Sequence, residues 1–349
     1  MNVSHDTARL SGAVDVSPGG ATTIEPLQLI RDLKSKIHAS LDEFVPSGAP
    51  LALVDFPDIR NVGDSAIWLG QMAYLRSRRI NWPQYVSRMW DFSDVELEAC
   101  VPEGPIFIHG GGNFGDLWEA HQAFRERILA RWPGRQVIQF PASIHYDSPA
   151  RADESARIID RHGNFILMVR DEESRHFAQQ RFNCRVILCP DMALCIGAIK
   201  SRPHPPLPVL AMLRNDKEKA GSHDLSAFPD VPVEDWVSEP WLPVRAAKAL
   251  GMAGAMLTFD PMRVRFGRLD AAARQRFRRG IRQIGRARAI VTDRLHVHVL
   301  ALLLGRPHAV LDNSYGKIAH LMAAFSGGTN LSYRAKSLPD AIEWARAHS

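Results

Sequence analysis

The sequence predicts an α/β protein of two Rossmann-like domains facing a cleft, and two observations carry that expectation. A short β-rich apolar run, a loop of Gly, Asn, Asp or Ser and an amphipathic helix recur along the chain, as in parallel sheets wrapped by helices. The recurrence is broken once, by the proline-rich stretch SRPHPPLP at 201–208, whose stiff extended backbone suits a linker. A length of 349 residues agrees, since it exceeds what one hydrophobic core usually serves. We expect a loose tail over 1–24, an acceptor-side domain over 25–200 and a donor-side domain over 201–349.

In chain order, the first series of strands is expected at 51–55, 105–109, 136–140, 165–169 and 186–188. The second is expected at 209–213, 289–292 and 308–311. Between them, 221–243 is rich in Asp, Ser, Pro and Trp without periodicity, and reads as a loop over the cleft or an acceptor-binding insertion. The arginine-rich stretch 263–288 places Phe277, Ile281 and Ile284 at helical spacing, which predicts an amphipathic helix with a solvated basic face.

Composition excludes several classes. With 46% hydrophobic and 23% charged residues the chain is globular rather than disordered. The most apolar run, 297–304, is interrupted by His298 and is far below the roughly 20 residues of a spanning helix. The start MNVSHDTARLSGAVDVSPGG has no basic segment leading into an apolar core, so no cleaved signal is expected and a cytoplasmic location is. Cys100, Cys184, Cys189 and Cys195 lack CxxC spacing and read as reduced, mostly buried thiols. The net charge of +5 suits an anionic partner. Nucleic acid is not expected, because no aromatic-rich basic platform accompanies the charge, whereas peripheral contact with anionic headgroups would be a second use.

Ligands in open parallel sheets lie beyond the carboxyl ends of strands, which directs attention to four loops. After the first strand, FPDIRNVGDSAIWLG crowds Asn61, Asp64 and Ser65 together; Asp64 or Ser65 can cap the helix, and Asp64 could also receive a proton from a substrate hydroxyl. After the second, HGGGNFGDLW begins with Gly110, Gly111 and Gly112, which remove every Cβ from the cleft floor, so that a ligand can approach backbone N–H groups. Asn113 and Asp116 would then face the acceptor or the other half. In VRDEES, Arg170 leaves its strand where a guanidinium suits a carboxylate or phosphate, with Asp171 or Glu172 as alternative partners.

The fourth loop lies in AIVTDRLHVHVLALLLGRPHAVLDNSYGKI. A strand ends at Thr292, Asp293 can cap, and a helix runs to Gly305, so Arg294 and His296 fall in its first turn. Cations there oppose the helix dipole, a placement that makes sense if a bound anion compensates. His298 points elsewhere and reads as a core or surface histidine. Ser314, Tyr315 and Lys317 add polar groups beside the same cleft, and no metal cluster is visible.

The ordered set NVGD, HGGGNFGD, VIQFPASI, VRDEES, CPDMAL and TDRLH with NSYGK resembles the polysaccharide pyruvyl transferase family over roughly residues 50–320. The resemblance implies a fold like that of GT-B glycosyltransferases, phosphoenolpyruvate as donor substrate without a further cofactor, and a sugar hydroxyl, expected on a lipid-linked oligosaccharide, as acceptor. Arg170, Arg294 and His296 match its donor site, and Asp64 an acidic position on the acceptor side. Two other readings share the pattern: a nucleotide-sugar glycosyltransferase, and a non-catalytic glycan- or phosphate-binding module.

Overall fold

The computed structural model describes residues 24–200, 205–215, 226–312 and 316–349. Within these, the apolar runs form two all-parallel sheets. The first holds β1 (Ala52–Val54), β2 (Tyr85–Val86), β3 (Ile106–Ile108), β4 (Gly111–Gly115), β5 (Val137–His145), β6 (Phe165–Val169) and β7 (Arg185–Leu188). Its order is β2-β1-β3-β5-β6-β7, with β4 paired to β5. The second holds β8 (Leu207–Met212), β9 (Val233–Glu234), β10 (Ala287–Thr292), β11 (His308–Val310) and β12 (Ser332–Arg334) in the order β12-β11-β10-β8-β9. Strands covered on both faces need apolar residues at successive positions, and β1, β3 and β6 are buried end to end.

The helices around these sheets are α1 (Pro26–Leu41), α2 (Val62–Ser77), α3 (Asp94–Cys100), α4 (Glu119–Arg131), α5 (Pro149–His162), α6 (Glu172–Arg181), α7 (Trp241–Met256), α8 (Pro261–Ile284), α9 (Leu295–Leu303), α10 (Lys317–Leu321) and α11 (Leu338–Ala347). Alternation along each strand sorts side chains between layers. Leu53 enters a central core while Ala52 and Val54 enter the outer core of the first sheet; Ile290 enters the same central core while Ala289 and Val291 enter the outer core of the second. That central core is continuous from one sheet to the other through α1, α2 and α9.

The strand orders fix where ligands can lie. In the first sheet the chain adds β2 on one side of β1 and β3 on the other; in the second it adds β9 on one side of β8 and β10 on the other. Each sheet thus has a switch point, the place where loops diverge and leave a crevice at the strands' carboxyl ends.

The helix carrying Arg294 and His296 is anchored from below by two histidines. His308 Nδ1 lies 2.8 Å from the Arg306 carbonyl oxygen, His298 Nδ1 2.7 Å from His308 Nε2, and His298 Nε2 2.8 Å from Ser326 Oγ. Two neutral rings protonated on Nδ1, with the serine hydroxyl donating at the far end, satisfy every contact. Burial agrees, pushing His308 down to about 4 and His298 well below its usual value. His298 is therefore a core residue.

Several expectations need correction. β8 begins at Leu207, inside the stretch read as connector, while residues 201–204 lie outside the described ones. Gly111–Gly115 is a strand rather than a loop, so β5 runs on to His145 beside it. The basic helix exists as α8, capped by Asp260, whose Oδ1 accepts from the amides of Met262 and Arg263 at 2.9 and 3.2 Å. Its basic face is not simply solvated: Arg265, Arg274 and Arg276 pair with Glu96, Asp270 and Asp58. Cys189 and Cys195 are buried, Cys100 and Cys184 partly so, and all four thiols are free.

Candidate active site

Both switch points open on one cavity of about 300 Å³. From the first sheet it receives Asn61 and Asp64 after β1, His109, Gly112 and Asn113 after β3, Arg170 after β6 and His121 from α4. From the second it receives Arg214 after β8, Trp236 after β9, and Arg294 and His296 after β10. Asn61, Asp64, Gly112, Asn113, Arg170, Arg294 and His296, expected from sequence to form the site, are thus brought together. Ser314 and Tyr315 lie outside the described residues, as does the side chain of Lys317.

Local chemistry explains each placement, and not always as the sequence suggested. α2 is capped by Asn61, whose Oδ1 accepts from Gly63 N at 3.1 Å, and not by Asp64 or Ser65. Asp64 is left in the first turn, beside Gly111, with its position relieved of capping. Gly63 packs directly beneath the His296 ring, where any Cβ would overlap Nδ1. Gly110 is not a cavity residue: a Cβ there would lie 2.5 Å from the Pro141 carbonyl oxygen, so its absence lets β3 exit alongside β5. Gly111 has φ +121°, which side chains disfavour. Asp116 does not face a ligand; its carboxylate accepts from the amides of Asp147 and Ser148 at 2.9 and 2.8 Å.

Arg170 pairs with neither Asp171 nor Glu172. Its Nη1 lies 2.5 Å from Asp191 Oδ2 and its Nε donates to Ser143 Oγ at 3.0 Å. The same Asp191 oxygen faces His296 Nε2 at 3.3 Å. Burial alone would raise the Asp191 carboxyl, but His296, through charge and hydrogen bond, and Arg170 together hold it well below its usual range. Arg294 is the N-terminal cap residue of α9, not a first-turn residue, and Asp293 does not cap; its Oδ1 accepts from Arg214 N at 2.8 Å. The Arg294 guanidinium meets Asp235 with Nη2 to Oδ2 and Nε to Oδ1 both at 2.6 Å. Asp235 and Trp236 come from the segment that showed no periodicity.

A second aspartate–histidine pair reaches the cavity through its histidine, His121, with the buried Asp55 behind it. Asp55, at the exit of β1, adopts φ +64°, a left-handed conformation that costs a non-glycine residue roughly 1 kcal/mol or more. In that pose its carboxylate meets His121 Nδ1 at 2.8 and 3.0 Å. Burial lowers the His121 pKa, yet the Asp55 hydrogen bond and charge outweigh it and the net shift is upward, with Asp64 adding in the same direction. Asn113 is held by Arg125, whose Nη2 donates to Asn113 Oδ1 at 3.1 Å and whose Nε donates to Gln139 at 2.7 Å.

His109 stands electrostatically between the two pairs. Burial pushes its imidazole down to about 3, with His121 adding to the fall. Its Nδ1 is 3.1 Å from Gln71 Oε1, while its buried Nε2 has no hydrogen-bond partner. The buried Trp236 Nε1 has none either. Polar atoms desolvated without partners are costly, and at a cavity wall they are poised for a ligand. His109, His121, Asp55, Asp191, Asp235 and Trp236 carried no local signal, except that HGGG and CPDMAL contain His109 and Asp191.

The arrangement can hold a doubly anionic molecule between two guanidiniums, an imidazole and the N-terminal turn of α9. In this structure Asp191 and Asp235 occupy those cations. Among the described residues, no group of three or more His, Cys, Asp or Glu side chains is placed to hold a metal ion.

Comparison with known proteins adds a family. The family described as polysaccharide pyruvyl transferase matches residues 61–315. "Pyruvyl transferase 1" of Schizosaccharomyces pombe is 30% identical over 317 residues, covering 85% of this chain and 76% of its own. "Putative pyruvyl transferase EpsO" of Bacillus subtilis is 28% identical, covering 85% and 91%. Among solved structures, an uncharacterized Klebsiella pneumoniae protein superposes with a TM-score of 0.55 at 21% identity, over 87% of this chain and 99% of its own, a likeness of fold.

Proposed function

The chain belongs to the polysaccharide pyruvyl transferase family, and from that premise we propose that it moves the enolpyruvyl unit of phosphoenolpyruvate onto a hydroxyl pair of a bacterial glycan, forming a pyruvate ketal. The observation that carries this reading is the facing of Arg170 and Arg294 across one cavity, from the exits of two different sheets. Phosphoenolpyruvate has a carboxylate and a phosphate at opposite ends, and each end suits a guanidinium. The two sheets are, on this reading, the acceptor and donor domains of a GT-B-like enzyme.

The donor's C3 takes a proton, C2 becomes electrophilic, and a sugar oxygen bonds to C2 as its own proton leaves. Phosphate then departs with the C–O bonding pair, and the second hydroxyl closes the ketal, its proton passing to phosphate. His296 serves as the general acid or phosphate ligand, oriented by Asp191. Asp64 receives the first hydroxyl proton, at the start of α2 on the same side as His121. The arginines and the start of α9 stabilise the charge that develops on phosphate. The acceptor is a lipid-linked oligosaccharide met at the cytoplasmic membrane face.

The test is to incubate the protein with phosphoenolpyruvate and candidate oligosaccharides, following inorganic phosphate by phosphorus NMR and the sugar by mass spectrometry. The expected result is one phosphate per sugar gaining a pyruvate less one water. Release of nucleoside diphosphate from a nucleotide sugar, with phosphoenolpyruvate untouched, would replace the proposal by glycosyl transfer.

A further inference from the structure

Helix α7 is an anomaly of this fold. It is 16 residues long, yet Val244 is its one buried residue. It packs against α8 through a close approach of Gly251 to Gly267 and turns its other side outward. Leu242, Ala246, Ala249, Leu250, Ala253 and Leu257 recur at helical spacing on that outward side, all exposed. The turn that follows continues the surface, with Leu257 86% and Phe259 93% exposed. A contiguous apolar surface of this kind marks a contact site rather than ordinary scatter.

Charge identifies what it contacts. From Trp241 to Phe259 there is no Asp or Glu, and the ionised residues are Arg245 and Lys248. Arg245 lies over the exposed Trp241 ring at 5.2 Å, an amphipathic pairing suited to a headgroup boundary. Just beyond the turn, the exposed Arg263 lies over the Trp82 ring at 5.0 Å and 3.9 Å from Asp260, so Arg245 is the main cation of this surface. At about 24 Å, 16 helical residues are too short to cross a bilayer's hydrocarbon core, and no helix among the described residues is long and apolar enough to do so.

We propose that α7 and the turn after it lie in the surface of an anionic phospholipid membrane, apolar side down. The position of the helix matters for the site: Lys248 reaches Asp58 at 2.9 Å, and Asp58 lines the cavity beside the exposed Ile59 and Trp90. A membrane under α7 therefore brings headgroups close to the cavity rim. That consequence for a lipid-linked acceptor rests on the transfer reading; the membrane contact does not.

The full chain is floated with vesicles of phosphatidylcholine alone and of phosphatidylcholine with phosphatidylglycerol. It should rise with the anionic vesicles, less as salt increases, and not with the neutral ones. The double substitution Leu257→Asp with Phe259→Asp, and separately Leu250→Glu, should each reduce binding roughly tenfold or more. Melting temperatures should stay unchanged, because these side chains touch solvent. Absence of wild-type flotation, or equal flotation of folded variants, overturns the proposal. So does a self-associating wild type that ignores vesicles and that either variant renders monomeric, since a second copy would then cover the helix. Phosphate release with a soluble acceptor is measured in parallel: vesicle binding without turnover would sink the transfer reading alone.

Discussion

The two aspartate–histidine pairs at the cavity are built differently. His121 and Asp55 both belong to the first sheet and its helices, and one imidazole nitrogen meets both carboxylate oxygens. His296 and Asp191 join the start of α9 to the loop after β7, and one carboxylate oxygen serves both His296 and Arg170. The first pair can form from one sheet alone; the second requires both sheets in place. The cavity thus has one wall that is preassembled and another that reports whether the two halves are docked.

The largest expected effect is on the second pair. Asp191→Asn keeps the shape and the capping oxygen but leaves Arg170 buried without its counter-charge, and should cost about 3–5 kcal/mol of stability. Because the folded carboxyl is held below its ordinary 3.8, its contribution is present above that value and fades as pH falls toward the folded pKa. Denaturant unfolding of both proteins across pH should show the gap at neutral pH closing in acid. A gap below 1 kcal/mol at neutral pH would mean that the charge on Asp191 does not hold the two halves.

The next effect falls on catalysis. Asp64→Asn should leave donor affinity and melting temperature near normal, since Asn61 is the cap. Transfer should fall by about two to four orders of magnitude if Asp64 is the base. Calorimetry with phosphoenolpyruvate beside single-turnover transfer separates the two, and wild-type transfer would strike Asp64 from the mechanism.

The smallest effect sharpens the preassembled side. The raised pKa of His121 means that its ion pair stabilises the fold fully below the unfolded histidine value of about 6.5 and is lost as pH rises through the folded value. His121→Gln should therefore cost about 1 kcal/mol at pH 6 and progressively less in alkali. A deficit that grows with pH would reverse the assignment.

What the sequence disclosed and what it withheld divide along the same physical line. Strands were legible because a buried parallel strand announces itself locally; β6 runs over Phe165–Val169 as expected. The cavity residues that follow strands, such as Arg170 and His296, were legible from position alone. Their partners were not, because Asp191 reaches back 21 residues to Arg170 and onward 105 to His296, separations at which no periodicity survives. The caps differ from expectation, with Asn61 capping α2 in place of Asp64 or Ser65 and Arg294 holding the cap position of α9 in place of Asp293, since the choice depends on backbone angles. Helix α7 gives no local signal because its apolar residues lie on its exposed side as well as on the side against α8, which leaves little amphipathic contrast.

The contact between Gly63 and His296 has a consequence in terms of heredity. The separation of the two walls at this point is set by a hydrogen atom where every other amino acid has a carbon. Each missense change in that one codon, however conservative, inserts a spacer between α2 and the imidazole. Any other residue at this codon would set a Cβ 2.4 Å from His296 Nδ1, so the imidazole or α2 would have to shift to admit it.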